Sequence, residues 1–178
     1  MKDLMYQLFA DHRNLIIFLH VLSAVVWVGG MIAIRFAMHP SCSQIENPKI
    51  RMERASHALG RFFTIVWPFV LVLIITAVIM AVGLGFRAAA VDELGNVIDD
   101  YAMSLYQTVH MKEAIWMIMA VNLGAMMYRR KQAVKALASD NLPRAKAMLE
   151  MISKYMVPLN IVLGLCAIFM GVVLRNAY

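Results

Sequence analysis

The chain has 178 residues, the length of one domain, with 62% hydrophobic residues, a mean hydropathy of +0.69 and a formal net charge of +6. Soluble domains carry roughly 45–50% apolar residues, and the excess here falls in four blocks, which excludes an ordinary soluble globule. The positive charge lies beside those blocks, so it points to a membrane surface rather than to nucleic acid.

A bilayer core about 30 Å thick is crossed by about 20 apolar helical residues. Residues 14–38, 62–86, 104–128 and 155–174 meet that length, and the second and fourth contain no charged side chain. The first block is too long for the apolar core of a signal peptide, and no small-residue cleavage site follows it. It reads as a transmembrane helix. The expected fold is all-α: an integral membrane four-helix bundle forming a single domain over 1–178, with short amphipathic helices in the cytoplasmic loops.

The connections set the orientation. Residues 39–61 carry Lys49, Arg51, Arg54 and Arg61 against Glu46 and Glu53, and 49–61 reads as a short helix running into the second span. Residues 87–103 hold Leu94, Gly95, Asn96 and several acids, an exposed turn. Residues 129–154 carry seven basic residues against Asp140 and Glu150. They read as two amphipathic pieces broken at 140–143, with Asn141 as N-cap and Pro143 in the first turn that follows. The other side carries Lys2, Arg13, Arg87 and Arg175 with Asp3, Asp11, Asp92, Glu93, Asp99 and Asp100. Basic residues are retained on the cytoplasmic side. Both termini are therefore expected outside, and the basic loops on anionic lipid headgroups or a membrane partner.

Ionisable residues inside a bilayer cost roughly 2.5–3.5 kcal/mol at a helix centre, so His20, His110, Lys112 and Glu113 are the candidates for function. His20 and His110 each lie about six or seven residues in from the outer boundary, roughly 10 Å deep at 1.5 Å per residue. Two histidines at one depth on different helices suit axial ligation of a b-type haem. Another metal or proton role, or hydrogen bonding across the bundle alone, are the alternatives. Val21, Ala24, Trp27 and Met31 follow the His20 face, and Ala114, Met117 and Val121 the His110 face. Met80 and Met170 lie near that depth and suit packing on a haem or ligating it. Glu113 suits a proton-holding role, and Lys112 either snorkels outward or binds a propionate or other anionic group.

Other features carry less. The sixteen methionines invite a copper reading, since thioethers favour Cu(I), but they make no single-faced ladder. Cys42 and Cys166 have no metal or redox spacing. Asn122 and Asn160 suit a hydrogen bond between the third and fourth spans, and Pro68 and Pro158 suit kinks.

The run from His20 through Trp27 to Gly29 and Gly30, followed by Arg35 and His39, resembles the first helix of the CopD-like membrane proteins and the related HemJ-type protoporphyrinogen oxidases. His110-Met111-Lys112 resembles the His-x-Lys start of the corresponding HemJ-type helix. The resemblance implies a small helical protein of the inner (plasma) membrane that binds haem b, with His20 as a ligand and Lys112 needed for activity. It implies a redox role on porphyrinogen, or electron transfer to quinone. The last helix departs from that family: residues 157–161 read Val-Pro-Leu-Asn-Ile and hold no glutamate. The CopD-like branch implies copper transport or tolerance instead. A non-catalytic membrane subunit, or a homo-oligomer, is the remaining expectation.

Overall fold

A computed structural model describes residues 2–176. The Lys2 side chain and the ends of the expected 1–178 domain (Met1, Ala177 and Tyr178) lie outside the described residues. Helix α1 runs Asp3–Ser43 (41 residues), α2 Pro48–Gly83 (36), α3 Phe86–Ala90 (5), α4 Asp100–Ala138 (39) and α5 Leu142–Asn176 (35). No strand forms among the described residues; an isolated bridge pairs Val91 with Val97.

Three helices, α1, α2 and α5, are long and apolar enough to cross a membrane. At 1.5 Å per residue, α4 is about 58 Å long, but Lys112, Glu113 and Asn122 lower its hydropathy. Each long helix outruns the expected span because the amphipathic segments are continuous with it. Residues 48–61 are the first turns of α2, and 142–154 those of α5.

Local chemistry fixes the helix ends. The Asn47 side chain accepts from the Lys49 and Ile50 amides at 3.0 and 3.2 Å, and Pro48 needs no amide partner there. Asp99 accepts from Ala102 N at 2.8 Å and starts α4. Asn141 accepts from Arg144 N at 3.1 Å and starts α5 after Asp140, which has φ of 52°. Helix α1 bends at His12 (φ −124°). It widens into π turns at Val25–Gly29 and Ile34–Met38, and α5 does so at Ile152–Met156, just before Pro158. Proline leaves a carbonyl one turn earlier without its donor, so a wider turn before it absorbs the mismatch. Pro68 lies within α2 without ending it.

Helix α1 packs along α2, α2 on α4, α4 on α5, and α5 returns to α1 around Trp27–Met31. The core joins Trp27, Val28 and Met31 to Val66 and Val70, Met119, Leu123 and Met126, and Val157 and Ile161. Gly164 lets α5 approach closely: a Cβ there would lie 2.5 Å from Val28 Cγ2 and 3.3 Å from Met119 Cε. Gly30 likewise faces the Phe62 ring. Between lipid-embedded helices such packing supplies the attraction that the hydrophobic effect supplies in water.

The basic α1–α2 and α4–α5 connections meet at one end of the molecule. Lys49 Nζ donates to Asp140 Oδ1 at 2.5 Å, and this hydrogen bond holds the ammonium above its ordinary range. At the opposite end, Asn96 donates its side-chain and backbone N–H groups to Asp92, holding that carboxyl below the usual range. Phe86 and Ala90 are buried where α3 packs on α4.

A polar clasp joins α4 to α5. Asn122 Nδ2 donates to Asn160 Oδ1 at 2.7 Å and to Met156 O at 2.8 Å, while Asn160 Nδ2 donates to Met119 O at 3.2 Å. Asn160 is fully buried. Asn160→Leu is expected to cost about 0.5–2 kcal/mol, the range for hydrogen bonds between membrane helices. Thermal unfolding in detergent micelles measures it, and an unchanged midpoint would show that the clasp contributes nothing.

Candidate functional site

His20 is half-buried on α1, three and seven residues before the buried Ser23 and Trp27. Its Nδ1 is 3.0 Å from Thr76 Oγ1 on α2. The Thr76 hydroxyl has one proton, and its own helix offers acceptors for it, Val72 O at 2.7 Å and Leu73 O at 3.0 Å. With that proton donated along α2, Oγ1 accepts from His20, so Nδ1 carries the imidazole hydrogen. Nε2 is then the nitrogen with a free lone pair. Such a hydrogen bond from the far nitrogen is what orients a metal-ligating histidine.

Lys112 is the second polar group at this depth. Its ammonium acts electrostatically on His20. It also lies against α5, where a Cβ at Gly171 would be 3.2 Å from Nζ. Among the described residues, no carboxylate forms an ion pair with Lys112. The structure thus brings together His20 from α1, Thr76 from α2, Lys112 from α4 and Gly171 from α5. Met80 lies one turn beyond Thr76 on the same face of α2, and Met170 precedes Gly171; both are partly buried.

His110 does not join them. The buried face of α4 runs through Leu105, Met119, Leu123 and Met126, and Lys112 is two turns from Met119 on that face. At 100° per residue, His110 sits on the opposite side of the helix from Lys112. Its ring is 53% exposed, with Nδ1 3.0 Å from Glu113 Oε2 and an edge contact to Tyr106. Ala114, Met117 and Val121, which extend its face, are all exposed. The expected pairing of His20 with His110 across the bundle is therefore not what the structure shows: equal depth places two residues in one layer but does not fix which way each faces. Glu113 goes with His110, 40% exposed on the outer surface, rather than to His20. Among the described residues, no three or more His, Cys, Asp or Glu side chains gather as a metal site.

Trp27 lies within the first π turn of α1 and is 1% exposed. Its ring N–H and that of Trp116 are buried without an acceptor. Single π turns recur at functional sites, and the periodicity of the sequence gives no sign of this one. Val21, expected beside His20, faces outward. Sequence reasoning does not single out Thr76; the available signal is a hydroxyl deep in an apolar span, with Thr64 near the start of that span. His39 and His57 are exposed at the basic end, and His12 at the bend of α1.

No family model, no curated protein and no solved structure matches the chain.

Proposed function

We propose that the chain is a four-span protein of the inner membrane that holds a b-type haem at His20. In this reading it takes part in oxidation of a carboxylate-bearing small molecule, with porphyrinogen as the substrate class and a quinone as acceptor. The observation that carries the proposal is the His20 imidazole held against α2, with Nδ1 3.0 Å from Thr76 Oγ1, an arrangement in which Nε2 can serve as a ligand nitrogen.

Counting α4 as a span follows from where its polar groups go. Lys112 lies against Gly171 of α5, Glu113 pairs with His110, and Asn122 pairs with Asn160. Its outer face at this level presents Met111, Met117, Ile118 and Val121. The exposed faces of the other helices are also apolar, including Phe18, Val21, Ile75, Val78, Leu165 and Phe169. Water-soluble surfaces seldom carry so much contiguous apolar area, and a bilayer covers it. The four long helices then form a membrane bundle. The basic end faces the cytoplasm, and both termini lie outside.

His20 would hold the haem iron through Nε2, and the thioethers of Met80 and Met170 are soft donors at the same end. Bound haem would supply one-electron transfer. Lys112 has a role that needs no metal: a partly buried cation without a counter-ion favours an anionic ligand group, such as a propionate or substrate carboxylate. Thr76 fixes the imidazole tautomer.

The reaction is tested by the appearance of fluorescent porphyrin from porphyrinogen, with haem-loaded protein in vesicles that contain quinone. Lys112→Met is expected to slow it by at least about tenfold, roughly 1.4 kcal/mol, with the Soret band retained; Lys112→Arg keeps most of the rate. Full activity in Lys112→Met would remove the lysine from the site. No oxidation by haem-loaded wild-type protein would overturn the reaction and leave haem binding standing.

A further inference from the structure

We infer that the basic end carries a built site for one anionic glycerophospholipid, in the groove between α2 and α4. Arg130 is its centre. Its Nε donates to Ser56 O at 2.7 Å, and its guanidinium lies flat on Gly60, where a Cβ would collide with it. The side chain of one helix is thereby laid against the backbone of the other, and its terminal N–H groups remain available. An open groove of about 580 Å³ runs from Arg130 and Lys131 along Thr64 to Trp67, Pro68 and Met127. A second, of about 460 Å³, continues from Arg130 past His57 toward Lys49 and Glu53.

The two grooves differ in a way that selects the occupant. The first has Arg130 and Lys131 at its mouth, no acid in its lining and an apolar floor. A phosphate at the mouth with acyl chains along Trp67 and Met127 matches that gradient, as basic pockets between helices on the cytoplasmic side match anionic headgroups. In the second, Lys49 is committed to Asp140 and Glu53 adds negative charge, so the headgroup belongs nearer Arg130. Ser56 lines this groove too; it is 2% exposed, and its hydroxyl has no partner. Trp67, 42% exposed, stands about 10 Å from Gly60 along α2, at the depth of the upper acyl chain.

The site rests on α2 and α4 both lying in the bilayer and is independent of the haem. Native mass spectrometry of the detergent-purified full chain tests it, by titration with phosphatidylglycerol, phosphatidylcholine or soluble glycerol 3-phosphate. Phosphatidylglycerol is expected to be retained at least about fivefold more strongly than phosphatidylcholine, the factor for one basic residue near a lipid surface. Glycerol 3-phosphate, lacking the chains, is not retained. Lys131→Gln, which breaks no helix contact, lowers retention about fivefold, whereas Lys135→Gln, outside the groove, leaves it unchanged. Thr64→Trp, which fills the apolar track, lowers it as well. Equal retention of the two lipids, or equal loss in Lys131→Gln and Lys135→Gln, overturns the site. Flotation with vesicles separates the two readings: a chain that does not float overturns the spanning reading and this site together, and one that floats without lipid preference overturns the site alone.

Discussion

His20→Ala is expected to purify without the Soret band of the parent protein, and His110→Ala to keep it. The asymmetry follows from the register of α4. His110 is exposed, paired with Glu113 and on the face opposite Lys112, whereas His20 faces Thr76 on α2. Removing His20 removes the imidazole that is held against Thr76. Thr76→Val tests the same geometry more gently, because it keeps the side-chain shape and removes the acceptor of Nδ1–H. Loss of such an orienting partner typically costs 10–100-fold in metal affinity. Haem retention in Thr76→Val is therefore expected to fall by about that factor, measured by transfer of haem to an apo-globin acceptor. Loss of the band in His110→Ala, with retention in His20→Ala, would reverse the assignment.

Gly164→Leu is expected to lower stability by about 1–3 kcal/mol, the usual cost of overpacking a closely fitted site. The backbone of α5 approaches Val28 and Met119 so closely at Gly164 that a Cβ already intrudes on both. The added side chain forces α5 off α1 and α4, loosening the contact beside the Asn122–Asn160 clasp. Gly124→Leu is the control, since a Cβ there meets nothing within 4 Å and leucine favours the helix by roughly 0.5–1 kcal/mol over glycine. Thermal unfolding of both variants in one detergent measures the difference. Equal midpoints would show that the α1–α5 contact is not a packing constraint.

Much of the fold is legible in the sequence because it is written in local chemistry. Apolar length marks α1, α2 and α5 as candidate spans, and the chain break around Asp140 with the Asn141 cap appears where Asn and Pro stand in sequence. The Asn122–Asn160 bond is legible for a related reason: a polar amide in an apolar helix must find a partner. Hydropathy alone does not mark α4 as a candidate span, since Lys112, Glu113 and Asn122 register as polar.

The candidate site is legible only in part. Depth along a helix can be counted from its boundary, and that puts His20 and His110 in one expected layer. Azimuth depends on which face packs, and a helix whose apolar residues surround it, as in a bilayer, gives little periodicity from which to read that face. So Lys112 lies against Gly171 of α5, and His110 faces outward. The π turn at Val25–Gly29 adds a local register shift in α1 that no 3.6-residue count contains. Thr76 escaped because a hydroxyl can bond its own helix, as Thr76 does with Val72, and need signal nothing beyond it.

An absorption spectrum of the full chain decides whether His20 holds a haem. The protein is purified from haem-replete cells and recorded oxidised and then dithionite-reduced. A Soret band that shifts and sharpens on reduction is expected, with haem remaining on the protein through gel filtration. A chain that is folded and helical by circular dichroism, yet shows no Soret band in either state after haem-replete expression, would contradict it.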